Sequence, residues 1–170
     1  PYDVGTVIEP LSVGVRAVNR PGDVKGKNVL VIGAGTIGNV VMQSAKALGA
    51  NKVVISDVSD YKLNMAKECG ADVTVNVARE KLEEVLDREL GIDGLDVVYE
   101  CSANGGALNQ VLRYGRKGMA VVIVAVYGKK PEMEMGLIQD REYELYGTLM
   151  YRHEDYLTAI RLVAEGKVNL

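Results

Sequence analysis

The chain has 170 residues, a length that fits one domain of the doubly wound size class and leaves little room for a second. Hydrophobic residues make up 48% and charged residues 25%, which supports a packed core and excludes a disordered chain. The net charge of −3 offers no positive field for a nucleic acid, and each apolar run breaks within about ten residues, short of the ~20 that span a bilayer.

Val4, Val7, Ile8, Leu11, Val15 and Val18 recur at steps of three and four, which predicts a helix over about residues 4–19. Pro21-Gly22-Asp23 breaks it, so residues 1–22 read as a leading helix and linker. A start at Pro1 without methionine is what a fragment cut at a domain border would show. Asn28–Ile32 is a short β-branched run between Lys27 and Gly33, the pattern of a strand buried on both faces. Helical spacing returns from Thr36 to Leu48 and stops at Gly49.

The alternation continues with a strand at 52–56, a helix at about 59–68, a strand at 73–75 and a helix at about 79–89. A strand at 96–100, a helix at 107–113, a strand at 119–124, a strand at 144–150 and a helix at 153–165 complete it. Strands alternating with helices imply parallel βαβ units. The expected fold is an α/β doubly wound parallel six-stranded sheet, the Rossmann arrangement, with helices on both faces. Residues 128–141 are the least regular stretch, the expected place for a lid or an interface. Two cysteines without Cys-x-x-Cys spacing suit a reducing cytosol, so cytoplasm is the default compartment.

Gly33-Ala34-Gly35-Thr36-Ile37-Gly38 follows the first strand and opens the first crossover helix, the context that a dinucleotide fingerprint requires. Gly33 would make the tight turn, Gly35 would let the backbone approach a pyrophosphate, and Gly38 would let helix press on strand. The pyrophosphate would meet the free amides at the helix N-terminus, where the dipole favours negative charge. Asp57 stands nineteen residues after Gly38, at the end of the second strand. A carboxylate there can accept from both ribose hydroxyls and repel a 2′-phosphate, which favours NAD over NADP. Lys62 lies over the adenosine or offsets a phosphate, or else is a solvated lysine on the outer face of a helix.

With these residues in place, the chain resembles the cofactor domain of the medium-chain dehydrogenases, zinc-dependent branch. Glu9–Val15 resembles the opening of that domain in the sorbitol, butanediol and threonine dehydrogenase group. Asp96–Ser102, Lys117–Val126 and Leu162–Val168 resemble its fourth strand, fifth strand and last helix. The resemblance implies an NAD-dependent alcohol or polyol dehydrogenase, with zinc in an N-terminal catalytic domain that this chain lacks and substrate contacts made mostly there. It implies that Val13 and Ile37 back the nicotinamide, that Cys101 and Ser102 flank the adenosine, and that backbone groups near Val124 and Val126 hold the carboxamide. Glu9 falls where this branch places a carboxylate beside the catalytic zinc; alone, it reads as a solvated glutamate.

Departures accompany the match. The family's zinc site also needs a cysteine and a His-Glu pair, absent here, and His153 reads as a surface imidazole. Ala103 and Ala125 stand where the family more often has glycine. Cys69 and Cys101 read as buried small hydrophobes. Tyr143, Tyr146, Tyr151 and Tyr156 are expected to cover apolar surface around the last strand, where the family pairs subunits across a sheet edge, so a homo-oligomer, a dimer, is expected. Two rival readings share the fold: a zinc-free NADPH-dependent quinone or enoyl reductase, opposed by Asp57 and Glu9, and a non-catalytic NAD-sensing domain that gates ion transport, opposed by the Glu9–Val15 segment.

Overall fold

The computed structural model describes residues 2–169, with side chains described from Gly5 onward, so Val4 of the expected apolar stripe lies outside the described side chains. In chain order the elements are α1 (Tyr2–Asn19), β1 (Asn28–Ile32), α2 (Thr36–Ala47), β2 (Lys52–Asp57), α3 (Asp60–Glu68), β3 (Val73–Asn76) and α4 (Leu82–Leu90). They continue with β4 (Val97–Glu100), α5 (Gly105–Tyr114), β5 (Ala120–Ile123), α6 (Met135–Asp140), β6 (Glu144–Gly147) and α7 (His153–Ala164). Among the described residues, six parallel strands form one sheet in the order β3-β2-β1-β4-β5-β6.

The pleat of β1 explains why the run reads as uniformly apolar. Val29 and Val31 enter one core layer with Val41, Met42 and Ala45 of α2, whereas Leu30 and Ile32 enter the opposite layer with Leu86 of α4 and Leu112 of α5. Alternate side chains thus serve two cores, and both need to be hydrophobic. A third cluster packs Leu11 and Val15 of α1 against Val40 of α2 and Leu162 of α7. The helix α1 passes through Pro10, which lacks an N–H. Complete burial of Leu11, Val15 and Val18 favours its continuation beyond that position.

Local hydrogen bonding moves several boundaries from their expected places. Arg79 and Glu80 both donate backbone N–H groups to the Asn76 carbonyl, so a turn occupies 77–80 and α4 starts at Leu82. Asn104 caps α5, its side-chain oxygen accepting from Gly106 and Ala107 at 3.0 and 3.2 Å, so that helix starts two residues early. β6 ends at Gly147 instead of reaching Met150, whose φ of +52° is incompatible with a strand. The stretch 128–141 contains α6 and is tied to α5. Asn109 donates to the Glu132 carbonyl, the Glu134 amide donates back to Asn109, and Arg113 pairs with Glu134.

Strand order reverses between β1 and β4, whose following connections leave on opposite faces of the sheet. Such a switch point opens a crevice at the carboxyl ends of the strands, where ligands of this architecture bind.

Candidate functional site

The glycine loop sits at that switch point. Gly33 turns with φ of +96°, and a Cβ there would lie 3.1 Å from backbone atoms of both Cys101 and Ser102, so the turn abuts the loop after β4. A Cβ on Gly38 would lie 1.8 Å from the Gly33 carbonyl oxygen, so α2 is seated directly on the turn. Gly35, at the N-cap of α2, differs from both: a Cβ there would meet nothing within 4 Å. No side chain caps α2, and its first turn carries no acid. Unsatisfied helical amides therefore face open space, a cradle suited to an anion.

A cavity of about 330 Å³ adjoins this loop, and Gly33, Gly35, Asp57, Lys62, Cys101 and Ser102 all contribute to its wall. Lys62 is 49% exposed, with its ammonium 3.7 Å from Asp57, so it belongs to the cavity rim and not to a remote solvated face. Leu82, Asn104 and Gln110 also line the space. Sequence reading did not single them out. Asn104 carried a usable signal, a capping side chain before two glycines, but expecting α5 to start at Ala107 hid it.

Asp57 faces the cavity with a side chain 9% exposed, and it is already engaged. Oδ2 accepts the Ala34 amide at 2.8 Å; Oδ1 accepts the amides of Val58 and Ser59 at 2.8 and 2.9 Å. A carboxylate offers about four acceptor positions, so one is left for a ligand. To take both ribose hydroxyls, as expected from the sequence, Asp57 would have to share or release one of these amides. The Ala34 amide is likewise committed to Asp57, so anion recognition falls to amides from Gly35 onward.

Residues 36–165 match the family model described as zinc-binding dehydrogenase. The chain belongs to the zinc-binding dehydrogenase family. Sorbitol dehydrogenase of Pongo abelii is 33% identical over 171 aligned positions, covering 99% of this chain and 48% of that protein. The crystal structure of galactitol-1-phosphate dehydrogenase from Escherichia coli superposes with a TM-score of 0.88 at 28% identity, over 100% of this chain and 51% of that one. A zinc-binding dehydrogenase structure from Sinorhizobium meliloti, bound to NADP, gives 0.86 at 31% identity, over 98% and 50%. The chain thus spans about half the length of the curated relatives it matches.

Against this family background, the remaining expected residues divide by position. Ile37, Cys101 and Val124 pack on the same core layer, beneath the carboxyl ends of β1, β4 and β5. Val13 is half-buried on α1 and Val126 is 84% exposed beyond β5; neither lines the cavity. The amides of Val124 and Ala125 both donate to the Glu100 carbonyl, at 2.9 and 3.0 Å. Glu9 is exposed on α1 beside Tyr151, whose phenol pKa is raised by desolvation and then by that carboxylate. Among the described residues, there is no group of three or more His, Cys, Asp or Glu side chains that could hold a metal ion.

His153 is exposed at the first position of α7. Both cysteines are half-buried free thiols, not fully buried ones. Burial, and then the Glu100 charge, push the Cys101 thiol up, which favours its protonated form. Tyr143 is buried, with its hydroxyl donating to the Leu112 and Gly115 carbonyls. Arg20 lies over the Tyr146 ring, and Tyr151 packs on Tyr156. No helix of the described residues is long and apolar enough to cross a membrane.

Ala103 occupies the left-handed region, with φ of +56°, in the loop that borders the cavity. An L-residue there costs about 1 kcal/mol relative to glycine, part of which glycine loses again through its freer unfolded state. Ala103→Gly is expected to raise the stability of the chain by about 0.5 kcal/mol, read from urea unfolding; a loss of stability would refute the strain.

Proposed function

We propose that this chain is the NAD-binding domain of a zinc-dependent alcohol or polyol dehydrogenase, supporting hydride transfer between a secondary alcohol and the nicotinamide. The observation that carries the reading is the pairing, across one cavity, of the open Gly35 backbone with the Asp57 carboxylate. A diphosphate fits the uncapped start of α2, and the last acceptor position of Asp57 suits one hydroxyl of the adenosine ribose. Cys101 and Ser102 then border the adenosine. Ile37 and Val13 would back the nicotinamide, and the carboxamide would meet the Val124 carbonyl and the Val126 backbone, since the Val124 amide is taken.

The bound dinucleotide supplies the ring carbon that gives or accepts hydride, while this chain holds the ring in place and presents one of its faces. The zinc implied by the family would be held elsewhere in the protein, with Glu9 the one residue here proposed to approach it. The sorbitol and galactitol-1-phosphate specificities of the relatives favour a polyol substrate. Exposed Leu145 on the edge strand β6, with Leu149 and Met150 just beyond, favours a homo-oligomer formed along that edge.

The choice of NAD rests on Asp57, because a 2′-phosphate would meet its carboxylate at close range; Lys62 offsets only part of that charge. Calorimetric titration of the chain is expected to show NAD binding about tenfold tighter than NADP. Asp57→Asn should weaken NAD about tenfold and narrow the preference. An amide must turn an N–H toward one of the three backbone donors that the carboxylate now satisfies. Tighter binding of NADPH by the unaltered chain would instead favour the zinc-free reductase reading.

A further inference from the structure

Gln110 lines the cofactor cavity from the second turn of α5, one turn after Ala107, which lines it too. Its Nε2 donates to Oε1 of Glu83 at 2.8 Å, a bond that ties α5 to the first turn of α4. A carboxylate can only accept, so this bond fixes which way round the amide stands. Glu83 stands outside the cavity wall, to which Gln110 contributes. The end of the amide turned away from Glu83 is its carbonyl, so the atom that Gln110 offers to the cavity is the acceptor Oε1.

Other polar side chains of the wall have their bonds made within the fold. Asp57 accepts three backbone amides and faces Lys62, the Ser102 hydroxyl donates to Glu100 at 2.6 Å, and the Asn104 oxygen caps α5. The rest of the wall near Asp57 is apolar: Val58 follows it directly, and the Val77 amide donates to its carbonyl at 3.1 Å. Leu82, next to Glu83, and Ala107 carry the apolar lining on to Gln110. An apolar space with one oriented acceptor suits a purine that carries an exocyclic amino group.

We propose that Gln110, held by Glu83, selects the base of the dinucleotide: its Oε1 accepts the 6-amino group of adenine and disfavours a 6-oxo purine such as hypoxanthine. The two bases have nearly the same shape, so apolar contact hardly separates them. At the 6 position they differ in sign. An amino group donates, whereas an oxo group sets a second acceptor against Oε1 and leaves both unpaired. Glu83 acts without touching the base, as a positioning residue. This role rests on the cofactor reading above, because Gln110 meets a base only if the ribose sits at Asp57.

Calorimetric titration of the whole chain with NAD and with its hypoxanthine analogue reads the selection, because the two dinucleotides share the sugars, the diphosphate and the nicotinamide. NAD is expected to bind about tenfold tighter, the size of one net hydrogen bond. Gln110→Leu should weaken NAD about tenfold and leave the analogue within about twofold, so that the two bind alike. Glu83→Gln should leave the cavity wall in place yet shrink the preference to about threefold or less, since the Gln110 amide can then stand either way round. A merely structural role for the bond between Glu83 and Gln110 would leave that ratio unchanged in Glu83→Gln, and this result overturns the positioning role. Equal binding of both dinucleotides by the unaltered chain, or a preference that survives in Gln110→Leu, overturns the base selection alone. Failure of both to bind the unaltered chain overturns the cofactor reading, and the base selection with it.

Discussion

Gly38→Ala is expected to destabilise the chain by about 3 kcal/mol or more and to prevent accumulation of folded protein at 37 °C. The added methyl would lie 1.8 Å from the Gly33 carbonyl oxygen and 2.9 Å from its carbon. Neither is the far end of a flexible side chain. Gly33 is held in place by its own amide, which donates to the Ser56 carbonyl at 2.7 Å, and by the backbone of Cys101 and Ser102 on its other side. Relief must therefore come from lifting α2, which would open the core formed by Val41, Met42 and Ala45 against β1. Urea unfolding of the purified variant, or its recovery in the soluble fraction, measures the effect. A cost below about 1 kcal/mol would show that α2 is not seated on the turn as described.

Gly35→Ala, three residues away, should do the reverse. Its stability is expected to stay within about 0.5 kcal/mol of the parent, because the backbone at φ of −68° suits any residue and the methyl meets nothing within 4 Å. Alanine is a poorer N-cap than glycine, but its smaller unfolded-state entropy offsets that loss. Dinucleotide binding, however, should fall about a hundredfold, since the methyl would stand where the diphosphate must approach the α2 amides. Calorimetry with NAD on a variant shown to be folded by its urea transition decides the matter. Unchanged affinity would mean that the diphosphate lies elsewhere, and the cofactor reading would fall with it.

The contrast between these glycines shows how far sequence reading reaches. All three are legible as a motif, and spacing alone gives each a separate duty. That a side chain at Gly38 would run into the carbonyl of Gly33, besides lying 3.5 Å from Val31 of the strand, is visible only in three dimensions. Asp57 was likewise found from its distance along the chain, yet its three backbone donors come partly from Ala34, which lies in another βα connection. Spacing located the acid but could not show that most of its acceptor capacity is taken. A single acid at the end of an apolar strand, as Glu100 is, reads in sequence as a solvated terminus, whereas it is completely buried.

The alternation of apolar runs at two periods was enough to determine the doubly wound class, the six strands and the position of the glycine loop. Those features follow from local backbone preference and from which faces must be buried. Helix starts at α4 and α5, the end of β6 and the docking of residues 128–141 were decided by tertiary structure, through caps and turns that bring distant donors and acceptors together. The same holds for the site. Residue type and order determined which groups could recognise a dinucleotide, whereas the pairing of Glu100 with both Ser102 and the loop after β5 depends on parallel strands lying side by side, a contact that no spacing along one chain encodes.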